Sequence, residues 1–301
     1  MKKCISYSIF YREDQAFDFP SYLRGFMLNL RFARLIYPGW KVILYCDQAT
    51  VDKAGKLLEA IPGLEYHVCQ NAPLTKAMLW RMKPIYDRVW SEEAQGFGDW
   101  KYSHVLCRDV DSPLTYKERQ AVEYWIAKDT TVHAITDSVS HTLPMMGGMV
   151  GFRPGYFTER MNCKTWDELM SLGSHIDYNH KGADQAFLNS HVYPAFSRHG
   201  KDSITQHYFQ GMPNTYLSDF RTCGCSPLAS HVLRCPNDYE IDLPVELKDS
   251  QSCCGHIGAA GWYQTSTERF LRKYADRFED LKQAESNYPD TFYWVKDGSL
   301  G

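Results

Sequence analysis

The sequence SHVLCRDVD at residues 103–111 predicts a buried strand that ends in two aspartates. Since alternate side chains of a strand point to the same side, we expect Asp109 and Asp111 to face one spot, with Val110 opposite. Carboxylates held that close repel each other unless a cation or protons intervene, and Mg²⁺ and Mn²⁺ prefer such oxygen ligands. The segment therefore predicts a divalent-metal site at the end of a strand.

Strands and helices alternate on both sides of this segment. On its N-terminal side, residues 6–11, 41–47 and 64–70 predict strands, and apolar residues at helical spacing separate them. On its C-terminal side, residues 131–136 predict a further strand. Such alternation predicts an α/β fold with a mostly parallel sheet covered by helices, in which ligands collect at the carboxyl ends of the strands.

Local signals also predict where some helices begin or bend. Thr50 is the predicted N-cap of the helix after the second strand, and Pro84 is predicted to kink or split a later helix. Thr115 and Glu118 have the capping-box spacing at the start of the helix that follows the two aspartates.

Composition excludes several classes of partner. The chain has 301 residues and a formal net charge of -3, which provides no general attraction for nucleic acid or anionic lipid. No apolar run reaches the roughly 18 residues of a membrane-spanning helix, and charges interrupt the region where a signal peptide would be apolar. The ten cysteines occur without a secretory signal, which favours reduced thiols. We therefore expect a soluble cytoplasmic protein with no nucleic-acid partner and no transmembrane segment, and the sequence leaves its oligomeric state open.

Several segments resemble one enzyme family, and they occur in that family's order. Asp109-Val110-Asp111 is similar to the signature of glycosyltransferases with the A-type fold. The neighbouring segments resemble its retaining branch, which includes glycogenin and bacterial lipopolysaccharide galactosyltransferases. The segment LWRMKP resembles the family's helix whose arginine reaches the donor, a role that the resemblance gives to Arg81.

Three later segments extend the resemblance. MGGMVGF, which contains Gly147 and Gly148, resembles the strand after a small-residue turn beneath the bound sugar, where glycine lets backbone approach a ligand. GADQAFLN is similar to the helix start that lies close to the donor sugar, so that Asp184 and Gln185 are the implied catalytic residues. CGHIGAAGW loosely resembles the loop whose histidine completes the metal site, here His256, although the lysine of that loop is missing.

The resemblance implies a Rossmann-like, A-type glycosyltransferase fold with a mostly parallel central sheet and a helical C-terminal extension. Residues 1–262 would form the nucleotide-sugar-binding catalytic domain, and residues 263–301 the extension packed on it. The implied reaction moves a hexosyl group from a nucleotide-sugar, with UDP the expected nucleotide, to a hydroxyl of a glycan or glycoconjugate, with retention. The implied cofactor is Mn²⁺ or Mg²⁺, held by Asp109, Asp111 and His256. The implied donor contacts are Arg81, Asp109, Val110, Gly147 and Gly148.

Two other functions stay open. A sugar-nucleotide pyrophosphorylase shares a similar core and metal chemistry, but it should open with a glycine-rich loop, and residues 9–14 contain no glycine. A non-catalytic binding protein could hold zinc through the cysteines of residues 223–254 and His256, although the paired C-x-x-C spacing of common zinc sites is missing.

A purely structural role stays open for two of these residues. A solvated basic face would explain Arg81 beside Lys83, and capping of its helix would explain Asp184.

The stereochemical outcome also stays open. An inverting reaction would need a base on the opposite face of the sugar. The candidates are Asp137, His141 and Asp184.

Overall fold

A mixed sheet forms the centre of the protein. The computed structural model describes residues 1–15, 19–70, 72–93, 95–112, 114, 116–136, 143–197, 203–208, 226–227 and 278–292. The strands are β1 (Lys2–Ile9), β2 (Lys41–Asp47), β3 (Glu65–Cys69), β4 (Arg88–Ser91), β5 (Gly96–Trp100), β6 (Tyr102–Arg108), β7 (Val132–Thr136), β8 (Met149–Phe152), β9 (Ile204–Tyr208) and β10 (Ser226–Pro227).

Within the described residues, eight of these strands form one sheet in the order β10-β9-β7-β8-β6-β1-β2-β3, and β4 pairs with β5 separately. Every pairing in the large sheet is parallel except the two made by β8, which runs antiparallel to β6 and β7. The prediction of an α/β fold with a mostly parallel sheet is therefore confirmed.

Helices cover both faces of the sheet. They are α1 (Phe19–Ile36), α2 (Gln48–Ala60), α3 (Leu74–Met78), α4 (Tyr116–Lys128), α5 (Pro154–Met161), α6 (Trp166–Ser171), α7 (Ala183–Phe187), α8 (Tyr193–Ser197) and α9 (Glu279–Glu285), with 3₁₀ helices at Glu13–Gln15 and Leu79–Tyr86 and a π-helical turn at Leu188–Val192. In β1, Ile5 and Tyr7 belong to the apolar core that includes α1 and α2. Cys4 belongs to a second core that includes the Leu79–Tyr86 helix, as strand alternation requires.

The structure corrects the predicted start of α2. Asp47, the last residue of β2, is the N-cap, and its Oδ1 accepts from the Thr50 backbone N–H at 2.9 Å. The helix therefore begins at Gln48, and Thr50 lies within its first turn. The same Oδ1 also accepts from the Tyr11 backbone N–H at 3.2 Å, a tertiary contact that sequence spacing does not reveal.

Two further local predictions have different outcomes. Pro84 lies inside one continuous 3₁₀ helix, Leu79–Tyr86, and the change from α3 to this helix occurs between Met78 and Leu79, so the predicted split at Pro84 is wrong. The capping box predicted at the start of α4 stays a prediction, although Glu118 also makes a tertiary ion pair in which it accepts from Arg108 Nε at 2.6 Å. Its predicted partner Thr115 lies outside the described residues.

The C-terminal region is described only at residues 278–292. There, α9 packs on α1, with Phe278 and Leu281 in the same apolar core. The boundary predicted at residue 262 stays a prediction. The cysteine group of residues 223–254, Asp137, His141 and His256 lie outside the described residues.

Across the part of the chain that the structure describes, no helix is both long and apolar enough to cross a membrane. Five described cysteines are free thiols and all five are buried, namely Cys4, Cys46, Cys69, Cys107 and Cys163.

Candidate active site

Four separate chain segments meet at the carboxyl end of β6. The Leu79–Tyr86 helix contributes Arg81, the residue after β6 is Asp109, and the first turn of α7 contributes Asp184. The turn before β8 contributes Gly147 and Gly148. Five of the residues that the family resemblance selects are thus brought together at the sheet edge where α/β proteins bind ligands.

Arg81 bridges two carboxylates in the interior of the protein. Its Nη1 is bonded to Asp109 Oδ1, and its Nη2 lies 3.4 Å from Asp184 Oδ2. Burial lowers the pKa of Arg81, but the two carboxylates more than offset this, and the net pKa is raised. With only 4% of its side chain exposed, Arg81 is not part of a solvated basic face, and that alternative interpretation is wrong.

The two glycines leave room for these charged groups. A Cβ atom at Gly147 would lie 2.5 Å from Asp184 Oδ2 and 2.6 Å from Arg81 Nη2, and one at Gly148 would overlap the Asp109 carboxylate. The antiparallel register of β8 with β6, in which Met149 pairs with Arg108, brings the glycine turn against Asp109. Any larger residue at either glycine would displace a member of the ion-pair cluster.

Asp109 and Asp111 lie in a turn rather than in the strand. β6 ends at Arg108, and the Ser112 N–H donates to the Asp109 carbonyl at 3.4 Å. The strand predicted to continue through the two aspartates therefore stops before them, and their orientation towards one spot stays a prediction. The side chain of Val110 is buried in the apolar core that includes α1.

The two turn carboxylates nevertheless remain electrostatic neighbours. Burial, together with the negative charge of Asp109, raises the pKa of Asp111 to about 7, although Arg81 and Lys181 oppose the shift. Asp109 keeps 26% of its side chain exposed, so solvent and ligands can reach it. The cluster therefore carries negative charge that Arg81 alone does not neutralise.

Asp184 and Gln185 occupy the start of α7. Gly182, at φ 87°, is the residue that caps this helix, and Asp184 in the first turn is directed to Arg81. Burial raises the pKa of Asp184, and Asp109 adds to this effect while Arg81 opposes it. Gln185 is half-buried, and its carbonyl accepts from Asn189 Nδ2 at 2.8 Å.

Sequence reasoning missed Asn29, which is bonded to the backbone around the two aspartates. Its Nδ2 donates to the Val110 and Ser112 carbonyls, both at 3.0 Å. The signal in the sequence was a lone asparagine between Leu28 and Leu30 on a predicted apolar helix, where an amide side chain must find buried partners.

The chemistry of the carboxylate pair fits a hard divalent cation. Asp109 and Asp111 supply oxygen ligands, and a cation would relieve the repulsion that raises the Asp111 pKa. Among the described residues, no group of three or more His, Cys, Asp or Glu side chains is placed to hold a metal ion. An ion at this pair would therefore need further ligands from substrate, water or residues such as His256.

Neither a protein-family model nor a curated protein matches the chain. Among solved structures, the glycosyltransferase GlyE of Streptococcus pneumoniae TIGR4 is similar at 11% identity and TM-score 0.41, over 68% of this chain and 45% of that one. The chain therefore spans less than half the length of GlyE.

Two further solved structures are similar at comparable levels. The 4-diphosphocytidyl-2C-methyl-D-erythritol synthase of Anaerococcus prevotii DSM 20548 aligns at 11% identity and TM-score 0.41, over 72% of this chain and 94% of that one. Mouse xyloside xylosyltransferase 1 aligns at 12% identity and TM-score 0.38, over 81% of this chain and 100% of that one.

Proposed function

We propose that this chain is a divalent-metal-dependent glycosyltransferase. It transfers a hexosyl group from a UDP-sugar to a hydroxyl of a glycan or glycoconjugate, with retention at the sugar. The observation that carries the proposal is the buried bridge of Arg81 between Asp109 and Asp184, beside the glycine turn at the carboxyl end of β6. The cluster combines carboxylates that can bind a metal ion, the positively charged guanidinium of Arg81, and the backbone of the glycine turn beside them. Recognition of an activated sugar requires these groups.

Asp109 and Asp111 would hold Mn²⁺ or Mg²⁺ together with the donor diphosphate. When bound, the ion supplies Lewis-acid neutralisation of the departing diphosphate. The partial exposure of Asp109 supports this role, because an ion shared with substrate phosphates must be reached from the solvent side.

Arg81 holds Asp109 and Asp184 at fixed positions before the donor binds. Gly147 and Gly148 keep the backbone of the turn close to this cluster, since a Cβ atom at either position would meet one of its charged groups, and the donor sugar would bind against the same turn. In the retaining reaction, the acceptor oxygen forms a bond to the sugar carbon while the bond between that carbon and the diphosphate oxygen breaks. The acceptor proton passes to the departing phosphate oxygen on the same face, so the reaction needs no protein base there.

The decisive experiment is a panel of UDP- and GDP-sugars incubated with the protein, with release of free nucleotide as the readout. We expect one UDP-sugar to be hydrolysed slowly with Mn²⁺, and the release to stop with EDTA. Asp109→Asn should abolish it, whereas Asp52→Asn, at an exposed position of α2, should not. Metal-independent release, or no release from any donor, would overturn the proposal.

A further inference from the structure

One asparagine of α1 is bonded to the segment that carries the two aspartates. Asn29 is fully buried, and its Nδ2 donates to the carbonyl oxygens of Val110 and Ser112, each at 3.0 Å. Its Oδ1 accepts from the backbone N–H of Leu114 at 2.9 Å. The two donor bonds and the acceptor bond of this amide are therefore all directed to one short stretch of chain.

Gly25 lies one helical turn before Asn29 and allows close approach of α1 to the same stretch. A Cβ atom at Gly25 would overlap the Val110 carbonyl oxygen, and would lie 3.0 Å from the Val110 carbonyl carbon and 3.3 Å from Asp111 Cα. A side chain at this position would push the turn away from the helix. Two adjacent turns of α1 thus contact the backbone between the carboxylates.

The backbone of this turn lies beyond the sheet, so contacts with other parts of the chain must hold it in place. Arg108 is the last residue of β6, so Asp109 and Asp111 have left the hydrogen-bonded ladder. Within the turn, the Ser112 N–H donates to the Asp109 carbonyl at 3.4 Å, which is a long bond. Neighbouring carboxylates repel each other, so a weakly held turn would let them move apart.

We propose that Asn29 is a positioning residue that fixes the separation of the Asp109 and Asp111 carboxylates and thereby sets the affinity for the divalent ion. This role rests on the function proposed above. When the turn is already ordered, the free energy of ion binding is not reduced by the cost of ordering it. Asn29 acts through the backbone on both sides of Asp111, and it does not contact the ion itself.

The test is the Mn²⁺ concentration that gives half-maximal UDP binding, measured by calorimetry at a temperature where every variant is folded. Asn29→Ala removes all three bonds, and we expect this concentration to rise about 10-fold or more, as for other groups that orient metal ligands. Leu57→Ala, in the buried core at α2, is the matched control. At a similar loss of melting temperature, it should leave the Mn²⁺ requirement unchanged.

Gly25→Ala tests the same contact with Asn29 left in place, and it decides the matter if the Asn29 variant does not fold. Alanine is normally the better helix former, so a raised Mn²⁺ requirement would report displacement of the turn rather than a weaker helix. Equal Mn²⁺ requirements in wild type and both variants would overturn the role of Asn29 and leave the proposed function intact. Wild-type binding of UDP that is the same with Mn²⁺ and with EDTA would overturn the proposed function, and the role of Asn29 with it.

Discussion

Arg31 of α1 and Glu285 of α9 form a buried ion pair with two hydrogen bonds, at 2.7 and 2.9 Å. One turn further along α1, Arg34 makes the same two-bond contact with Asp280, but both of these side chains are 37% exposed. The two pairs join the same two helices and differ chiefly in burial. Variants of the two pairs therefore compare how much a buried pair and an exposed pair each contribute to holding α9 on α1.

We predict that Arg31→Met destabilises the protein far more than Arg34→Met. Removing Arg31 takes two charge-assisted hydrogen bonds from the buried Glu285 carboxylate, and breaking a buried pair in this way costs about 3–5 kcal/mol. Removing Arg34 leaves Asp280 in contact with water, and exposed pairs contribute about 1 kcal/mol or less. Urea unfolding of both variants measures the difference. Equal losses of unfolding free energy would contradict the assignment of Arg31 and Glu285 as the principal link.

Replacement of Gly148 should impair the site without unfolding the protein. In Gly148→Ala the new Cβ would overlap the Asp109 carboxylate, so Asp109 must move. We expect UDP binding in the presence of Mn²⁺ to weaken about 10-fold or more, in the range seen when metal ligands lose their orientation.

The matched control for this substitution is Gly98→Ala in β5. Its Cβ would meet Ser91 Cβ at 3.5 Å, which is an ordinary contact. Calorimetric titration with UDP and Mn²⁺ compares the two variants. If Gly148→Ala bound as tightly as Gly98→Ala, the glycine turn would not be part of the binding site.

Two buried histidines should make the protein less stable in acid. Burial lowers the pKa of His207 to about 3, and the pKa of His133 is lowered by burial and by the neighbouring charges of His207 and Arg108. The rings of His133 and His207 lie 5.3 Å apart, and His133 stacks on Trp125. Since the unfolded chain binds these protons near pH 6.5, stability is complete above that pH and is lost as the pH falls towards the folded pKa.

The measurement is the dependence of unfolding free energy on pH between 6.5 and 5, in wild type and His207→Phe. Each neutral buried histidine contributes a loss of up to about 1.4 kcal/mol per pH unit, so the variant should have the shallower slope by about that amount. Asp111, whose pKa is raised to about 7, acts in the opposite direction, but it is common to both proteins and cancels in the comparison. His180→Gln, at a side chain that is 80% exposed, should retain the wild-type slope. Parallel slopes for wild type and His207→Phe would show that His207 accepts a proton as readily in the folded as in the unfolded state.

Much of the fold was predictable because periodicity is local. Alternating strands and helices predicted the parallel α/β sheet, and the strand at Lys41–Asp47 has the bounds expected of it. The convergence of Arg81, Asp109 and Asp184 followed from the family resemblance together with the rule that strand ends meet at one sheet edge. That these residues share one ion-pair cluster is a result of the structure.

The remaining features depend on contacts between distant parts of the chain. Glu118 pairs with Arg108 because the sheet places a buried guanidinium beside α4, and the spacing of Glu118 in the sequence does not indicate that partner. Asn29 is one polar residue in an apolar helix, and its partners lie more than eighty positions away. Asp109 and Asp111 have the alternation of a strand, but the ladder of β6 stops at Arg108. Sequence periodicity carries no information about where such tertiary partners lie.

The measurement that tests the central claim most directly is the affinity for UDP with and without Mn²⁺, in wild type, Asp109→Asn and Asp111→Asn. Because the two carboxylates are assigned to one shared ion, we predict that wild-type binding depends on Mn²⁺ and that either substitution weakens it about 10-fold or more. Mn²⁺-dependent binding of unchanged affinity in both variants would contradict the assignment of the ion to this pair.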